Sequence, residues 1–232
     1  MTDLLLLDYN GVIVNDEPLH FAALRDVLAV ERIPMDQGAY DASYLGLDDR
    51  ECLRTAFIRA GRTLEAAALD RLAARKAEWY AELIRAGLPL VPGVGAFVHA
   101  AADAGMRIGV ISGALRREIV AGLECAGISA VVRVVVSAED VAAGKPDPAG
   151  YRLALGRLAG DAAQALRAVA VEDSVPGLAA ARASGAGCVM LATSHPANRL
   201  KGADAVWDSF AGHTPEELAP LFREVGARSR RT

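Results

Sequence analysis

Residues 4–12 read LLLLDYNGV and place a continuous apolar run directly before an acid and a turn. Such a run is typical of a short strand buried on both faces, as in a parallel sheet. Gly11, which has no side chain, would let a substrate approach the backbone closely. A carboxylate at the end of a strand can attack phosphorus and form an aspartyl phosphate, so Asp8 is a candidate nucleophile. Because strand-ending aspartates are also common turn formers, the motif alone leaves both interpretations open.

The chain after Pro89 alternates between short apolar runs and helix-forming stretches. The runs interpreted as strands are Arg107–Ile111, Val131–Val136, Ala168–Val171, Cys188–Leu191 and Ala205–Trp207. Strands separated by helices imply right-handed parallel crossovers. We therefore predict the α/β class, with a doubly wound, Rossmann-like parallel sheet that begins with residues 4–7.

Residues 16–88 differ from the rest, because they carry helical patterns and no convincing strand. One helix is predicted from Pro18 to about Val30, and another within the Ala-, Leu-, Arg- and Glu-rich stretch Leu64–Arg85. The sequence thus predicts two domains. Residues 1–15 and 89–232 form the core, and residues 16–88 form an inserted all-α cap.

Polar side chains follow several of the predicted strands, at the point where each strand ends. Asp8, Ser112 and the pair Glu172–Asp173 come directly after strands, and Lys145 lies in the loop after another. The carboxyl ends of strands in an open parallel sheet converge on one crevice, where ligands bind. We therefore expect these groups to meet at one edge of the sheet.

Each of these groups has a chemical role and a plainer alternative. Adjacent acids suit Mg²⁺, which prefers carboxylate, water and phosphate oxygens, although Asp173 could instead cap a helix. The Ser112 hydroxyl and the N–H of Gly113 suit phosphate oxygens at a helix N-terminus, although serine is also a common N-cap. Lys145 suits neutralisation of a phosphoryl group, whereas a lone lysine is ordinarily a surface charge.

Composition argues against some classes of protein. The 232 residues are 53% hydrophobic and 23% charged, which indicates a folded core and not disorder. A formal net charge of −4 argues against nucleic acid or an anionic membrane as partner. The sequence shows no membrane-span or signal-peptide pattern, and its three cysteines are widely spaced. We expect a cytoplasmic protein, either a monomer or a small homo-oligomer.

Four motifs occur in order along the chain, and together they resemble the haloacid dehalogenase superfamily of phosphohydrolases. They are LLLLDYNGV at 4–12, VISGA at 110–114, GKPDP at 144–148 and AVEDSVPGLAAARASG at 170–185. The sequence is most similar to the β-phosphoglucomutase-like subgroup, in which a small helical cap is inserted after the first motif. The segment VNDEPLHFAAL at 14–24 resembles the start of that cap.

The resemblance implies an enzyme that uses Mg²⁺ as its cofactor. Asp8 would be the nucleophile, Ser112 would bind phosphate and Lys145 would neutralise charge. Asp173, with Glu172 beside it, would ligate the metal together with Asp8. The backbone carbonyl of the residue at position 10 would be a further ligand.

The chain departs from the family pattern at Asn10, where phosphatases and mutases of the family carry an aspartate as general acid and base. An amide forms hydrogen bonds but does not transfer protons near neutral pH, and loss of general acid–base catalysis typically costs ~10²–10⁴-fold. Metal ligation by the backbone carbonyl does not depend on the side chain. Three explanations stay open: an engineered change, a natural one with the proton handled elsewhere, or a relative that only binds its ligand.

Three residues of the predicted cap are further candidates. Glu17 and His20 follow the first motif closely, and either could replace the missing acid, although helix capping and packing are the plainer roles. Arg50, in the stretch YLGLDDR at 44–50, could clamp a second anionic group of the substrate. The alternative for that stretch is a solvated helix N-terminus capped by Asp48.

The sequence therefore predicts a phosphohydrolase of a small phosphorylated metabolite, such as a sugar phosphate, acting through an aspartyl phosphate at Asp8. A phosphomutase is the enzymatic alternative, and Asn10 counts more heavily against it because it needs proton transfer in both directions. Phosphonate hydrolysis is disfavoured, because the family's version uses a cap lysine and the cap offers only Lys76. A catalytically weakened protein that binds a phosphorylated ligand is the remaining hypothesis.

Overall fold

A computed structural model of the chain describes residues 2–44, 47, 49–160 and 166–228. These described residues divide into two compact units, one within the ranges 1–15 and 89–232 and the other within the range 16–88. We call the first the core unit and the second the insert. Each is described separately below.

The core unit is built on a six-stranded parallel sheet. Its strands are β1 (Thr2–Leu7), β2 (Arg107–Ile111), β3 (Val132–Val136), β4 (Leu166–Glu172), β5 (Gly187–Leu191) and β6 (Ala205–Trp207). Their spatial order is β3-β2-β1-β4-β5-β6, and every pairing is parallel. The order reverses between β1 and β4, and this switch point is where open α/β sheets bind ligands. The predicted doubly wound parallel sheet is confirmed.

Helices cover both faces of this sheet. They are α5 (Val94–Asp103), α6 (Arg116–Cys125), α7 (Ala149–Ala159), α8 (Val175–Ala183) and α9 (Ala219–Arg228), numbered after the four helices of the insert. Leu4 and Leu6 of β1 join a buried cluster with side chains of α7 and α8. Leu5 and Leu7 point to the opposite face and are equally buried, so the four leucines form a strand enclosed on both sides.

The insert contains only helices in its described part. They are α1 (Glu17–Val30), α2 (Gln37–Ser43), α3 (Asp49–Arg59) and α4 (Ala66–Ala86). Leu24, Leu28, Leu53 and Phe57 lie in one hydrophobic cluster that α1, α3 and α4 share. The predicted all-α character is confirmed. Among the helices of the described residues, none combines the length and the apolar character that a membrane span needs.

Candidate active site

The switch point of the sheet brings the first and fourth motifs together. Leu7 pairs with Val171 in the register of β1 and β4, so Asp8 and Glu172 leave neighbouring strands at the same level. The Asp8 N–H donates to the Val171 carbonyl at 3.0 Å and continues the ladder by one residue. Carboxylate oxygens of Asp8, Glu172 and Asp173 lie within 4.8 Å of one another.

Lys145 joins two of these carboxylates. Its Nζ lies 2.8 Å from Asp8 Oδ1 and 2.5 Å from Glu172 Oε1. The Tyr9 N–H also donates to Asp8 Oδ1, at 2.7 Å. Asp8 is therefore held by a lysine from one loop and by the backbone of its own turn. Such restraint suits a nucleophile that must keep one orientation.

Burial and crowding of like charges disturb the titration of the site. Burial, and then the charge of Asp8, raises the pKa of Glu172 to about 8 and that of Asp173 to about 7. Burial of the Lys145 amine opposes its charge, but the carboxylates of Asp8 and Glu172 outweigh burial and raise its pKa above the ordinary value. Three acids thus face one ammonium group in a place that excludes most water.

Two glycines leave the space that the acids occupy. Gly11 has φ +71°, and a Cβ built there would lie 1.9 Å from Asp173 Oδ2. A Cβ at Gly177, in the first turn of α8, would lie 1.8 Å from Glu172 Oε2. Both positions require glycine, because any other side chain would displace an acid of the site.

The chemistry of this donor set fits a hard divalent cation. Magnesium prefers carboxylate and carbonyl oxygens, and the surplus of negative charge over Lys145 favours a cation. Asp8 and Asp173 would ligate such an ion, with Glu172 and the Asn10 carbonyl as further oxygens from the same two turns. The helix-capping alternative for Asp173 is not what the structure shows, since the N-cap of α8 is Ser174, whose Oγ accepts from the Gly177 N–H at 3.2 Å.

Ser112 and Gly113 follow β2, the neighbour of β1 on its other side. Ser112 is buried, and its Oγ accepts a hydrogen bond from the Ala114 N–H at 3.1 Å. It is not an N-cap, because α6 begins only at Arg116 with Leu115 at the cap position. A Cβ at Gly113 would meet no heavy atom within 4 Å, so space remains beside its backbone.

Sequence reasoning missed three hydroxyl groups of the site. Tyr151 is fully buried in α7 and donates to Glu172 Oε1 at 2.5 Å. Ser194 Oγ donates to Asp173 Oδ2, and Thr193 Oγ1 donates to the Gly11 carbonyl at 2.6 Å. Thr193 and Ser194 come just after β5, so the rule that selected the other strand-end residues could have found them.

Glu17 and Arg50 contact neighbours within the insert. Glu17 begins α1 and does not cap it through its side chain; Asp16 occupies the N-cap position. Glu17 Oε1 accepts from the Tyr40 hydroxyl at 2.5 Å. Arg50 pairs with Asp70 at 2.6 Å in an exposed salt bridge. Asp48, the alternative cap of that stretch, lies outside the described residues.

His20 belongs to a compact polar cluster of the insert. Its Nδ1 lies 2.6 Å from Nζ of Lys76, and its Nε2 lies 3.4 Å from Asp16 Oδ2. The Lys76 side chain is only 2% exposed and also pairs with Asp49 at 2.6 Å. Because a charged lysine only donates, His20 Nδ1 must accept, which leaves the proton of the neutral ring on Nε2.

Comparisons with known proteins identify the family of the chain. The family model of the haloacid dehalogenase-like hydrolases matches residues 2–185. Phosphoglycolate phosphatase of Rhodospirillum rubrum is 32% identical over 219 residues, which cover 91% of this chain and 89% of the relative.

Solved structures show the same architecture. CbbY from Rhodobacter sphaeroides, in complex with phosphate, is 26% identical with a TM-score of 0.70, covering 91% of this chain and 96% of that chain. An aspartate-to-asparagine mutant of CbbY, mutated at its position 10, was solved with xylulose-(1,5)bisphosphate; it is 27% identical with a TM-score of 0.69 over the same shares.

The β-phosphoglucomutase of Clostridium difficile shares the fold, at 20% identity and a TM-score of 0.72, covering 97% of this chain and 98% of that chain. The family model alone spans well over half of the chain. The chain therefore belongs to the haloacid dehalogenase-like hydrolases, as a phosphatase-type enzyme with a β-phosphoglucomutase-like fold and a helical cap.

Proposed function

We propose that this protein is a Mg²⁺-dependent phosphohydrolase that acts on a small phosphate ester through an aspartyl phosphate at Asp8. One observation carries the proposal: carboxylate oxygens of Asp8, Glu172 and Asp173 lie within 4.8 Å of one another at the switch point of the sheet, and Lys145 pairs with Asp8 and Glu172. A nucleophile, a charge-neutralising amine and oxygen ligands for a cation are the parts that phosphoryl transfer needs.

In the first step, one carboxylate oxygen of Asp8 forms a bond to phosphorus while the bond from phosphorus to the ester oxygen breaks. The Lys145 ammonium neutralises negative charge on the carboxylate and on the transferred group. Ser112 Oγ and the Gly113 N–H are the groups proposed to hold phosphoryl oxygens. In the second step, water attacks the aspartyl phosphate, which releases phosphate and regenerates Asp8. A bound Mg²⁺ would add positive charge beside the phosphoryl oxygens.

Because position 10 is Asn, the chain lacks the family's usual acid for protonating the leaving group. We propose His20 and Glu17 as substitutes, although Glu17 Oε1 already accepts a hydrogen bond from the Tyr40 hydroxyl. If Lys76 donates to His20 Nδ1, Nε2 is the ring atom that would carry a proton for transfer. His20→Ala and Glu17→Gln test these roles directly, because unchanged turnover in both variants would exclude them.

The relatives support a small phosphorylated metabolite as substrate. One is named a phosphoglycolate phosphatase, and CbbY was solved with phosphate and with a sugar bisphosphate. The bisphosphate complex was obtained with an asparagine mutant, so an asparagine form of such a protein still binds its ligand. We propose a sugar phosphate or a similarly small ester, with Arg50 as a candidate contact for a second anionic group.

A second candidate function follows from Asn10 alone. A protein with the metal and phosphate groups intact and without the acid would bind a phosphorylated ligand and turn it over slowly. A phosphomutase is less well supported, because it needs the acid–base group twice in each cycle.

The leaving group provides the test. We would compare the unaltered chain with Asn10→Asp in the presence of Mg²⁺, using p-nitrophenyl phosphate, phosphoglycolate and xylulose 1,5-bisphosphate. A nitrophenolate needs little protonation, whereas an alkoxide needs an acid. The proposal expects Asn10→Asp to raise kcat by ~10²–10⁴-fold for the alkyl esters and far less for the aryl ester.

Two controls keep the comparison clean. Asp8→Asn should abolish turnover of all three esters in either background. Asn10 precedes Gly11, a sequence prone to deamidation, so intact-peptide mass spectrometry must show that no Asp has formed at position 10. Binding of phosphoglycolate or the bisphosphate without turnover in either form would favour the ligand-binding protein over the phosphohydrolase.

A further inference from the structure

The loop after β5 brings two hydroxyl groups to the acids of the site. Ser194 donates to Oδ2 of Asp173, which is a candidate metal ligand. Thr193 donates to the backbone carbonyl of Gly11 at 2.6 Å. The two adjacent side chains therefore reach the two segments, one after β1 and one after β4, that would have to hold a cation between them.

These three segments pack closely against one another at Gly11. A Cβ at Gly11 would lie 1.9 Å from Asp173 Oδ2 and 2.9 Å from Ser194 Oγ. The Gly11 carbonyl that Thr193 holds is one peptide unit from the Asn10 carbonyl. The Asn10 carbonyl shares a planar peptide unit with the Gly11 N–H, which donates to the Val14 carbonyl at 2.7 Å. This bond and the Thr193 bond to the Gly11 carbonyl therefore hold the peptide units on both sides of the Gly11 Cα.

We propose that Thr193 and Ser194 are positioning residues for the divalent cation, each acting through a ligand and not by direct contact with the ion. Ser194 sets the rotation of the Asp173 carboxylate, and Thr193 sets the turn that carries the Asn10 carbonyl. The proposal rests on the proposed function, since it assumes that a cation binds between Asp8 and Asp173. Hydrogen bonds to metal-binding groups orient them, and their loss commonly weakens metal binding by ~10–100-fold.

The test measures metal affinity and not turnover. Mn²⁺ is the probe, because free Mn²⁺ can be counted by electron paramagnetic resonance during a titration of the full chain. Ser194→Ala and Thr193→Val remove one hydroxyl each, and Thr193→Val keeps the side-chain shape. We expect each variant to bind Mn²⁺ about tenfold or more weakly. Thr193→Ser restores a hydroxyl and should recover most of the affinity.

Ser184→Ala is the matched control. The Ser184 hydroxyl also donates to a backbone carbonyl, that of Ala181 at 2.6 Å, but it does so past the C-terminal end of α8. Its loss should leave the Mn²⁺ affinity unchanged.

The outcomes separate this proposal from the one on which it rests. If the unaltered chain binds no Mn²⁺, the metal-dependent function fails, and this inference fails with it. If the unaltered chain binds Mn²⁺ and both hydroxyl variants bind it equally well, only the positioning role is overturned. Thermal melts in EDTA and in Mn²⁺ cover a variant that folds poorly: a lower melting temperature in EDTA, with an unchanged rise on adding Mn²⁺, also contradicts the proposal.

Discussion

Glu172 is the residue of the site whose charge is subject to the strongest opposing effects. It is completely buried, and its Oε1 accepts hydrogen bonds from both Lys145 and Tyr151. Burial and the nearby charge of Asp8 favour its protonated form, whereas Lys145 and Tyr151 favour its carboxylate. Its pKa of about 8 is the balance of these effects, so its charge depends on small changes around it.

The raised pKa values of Glu172 and Asp173 predict how stability depends on pH. Both groups bind protons more tightly in the folded chain than in the unfolded chain, where carboxyl pKa values are near ~4. Their contribution to folding is fully present below that pH and is lost as the pH rises through about 7 and about 8. The melting temperature in EDTA should therefore fall between pH 5 and pH 9, and Mg²⁺ should reduce the fall. A flat profile in EDTA would contradict the assignment; Asp173→Asn should remove part of the slope.

Tyr151→Phe tests the same balance from the other side. Loss of the Tyr151 hydroxyl removes a hydrogen bond that favours the Glu172 carboxylate, so the pKa of Glu172 should rise further. We expect the free energy of unfolding in EDTA to fall by about 1.5–3 kcal/mol at pH 9, and by less at pH 6, where Glu172 is protonated. Urea unfolding at both pH values measures this. Tyr9→Phe is the control, because the Tyr9 hydroxyl donates to the neutral carbonyl of Glu118 at 2.9 Å and its loss should show no such dependence on pH.

At the scale of elements, glycine is required at Gly177 in the first turn of α8 but not at Gly156 in α7. Gly177→Ala would place a Cβ 1.8 Å from Glu172 Oε2, so Glu172 or the helix must move. We expect a loss of about 1–3 kcal/mol in the free energy of unfolding, together with weaker Mn²⁺ binding. Gly156→Ala, inside α7, meets no atom within 4 Å and should stabilise the protein by about 0.5–1 kcal/mol. Equal effects of the two substitutions in urea unfolding would contradict this packing.

The strands were easier to predict than the last helix of the chain. Strands buried on both faces form continuous apolar runs that are easy to recognise in a sequence. The predicted bounds of β2 and β6 are the observed ones. Helix α9 was not predicted, because Pro220 and Gly226 disturb its pattern; Phe222 and Val225 nevertheless pack it into the core. Tertiary burial outweighs local propensity there.

The site could be predicted only where a rule about strand ends applies. That rule selected Asp8, Ser112 and the Glu172–Asp173 pair, and the structure brings the three acids together with Lys145. Tyr151 could not be found in this way, because it lies inside a helix and reaches the site by a long side chain.

At the scale of the whole molecule, the insert leaves and re-enters the core unit at adjacent points. Val14 and Leu90 form an antiparallel bridge, and the Asn15 N–H donates to the Pro89 carbonyl at 2.8 Å. A short flexible linker can therefore join the two ends, because loop closure over so small a gap costs little entropy.

Replacing residues 16–88 by a short Gly/Ser linker should accordingly leave the core unit folded. We expect a cooperative melt by circular dichroism and a rise in melting temperature with Mn²⁺, because the acids all belong to the core unit. Turnover of phosphoglycolate should fall, because a cap normally excludes water and completes the site. An unfolded product would contradict the division into independent units.

Capture of the phosphorylated enzyme tests the central claim most directly. The protein would be mixed with Mg²⁺ and ³²P-labelled p-nitrophenyl phosphate, quenched in acid and reduced with borohydride, which converts an aspartyl phosphate to homoserine. We predict acid-stable label before reduction and homoserine at position 8 after it, both dependent on Mg²⁺ and absent from Asp8→Asn. Turnover of the ester without label, or label at any other residue, would contradict Asp8 as the nucleophile.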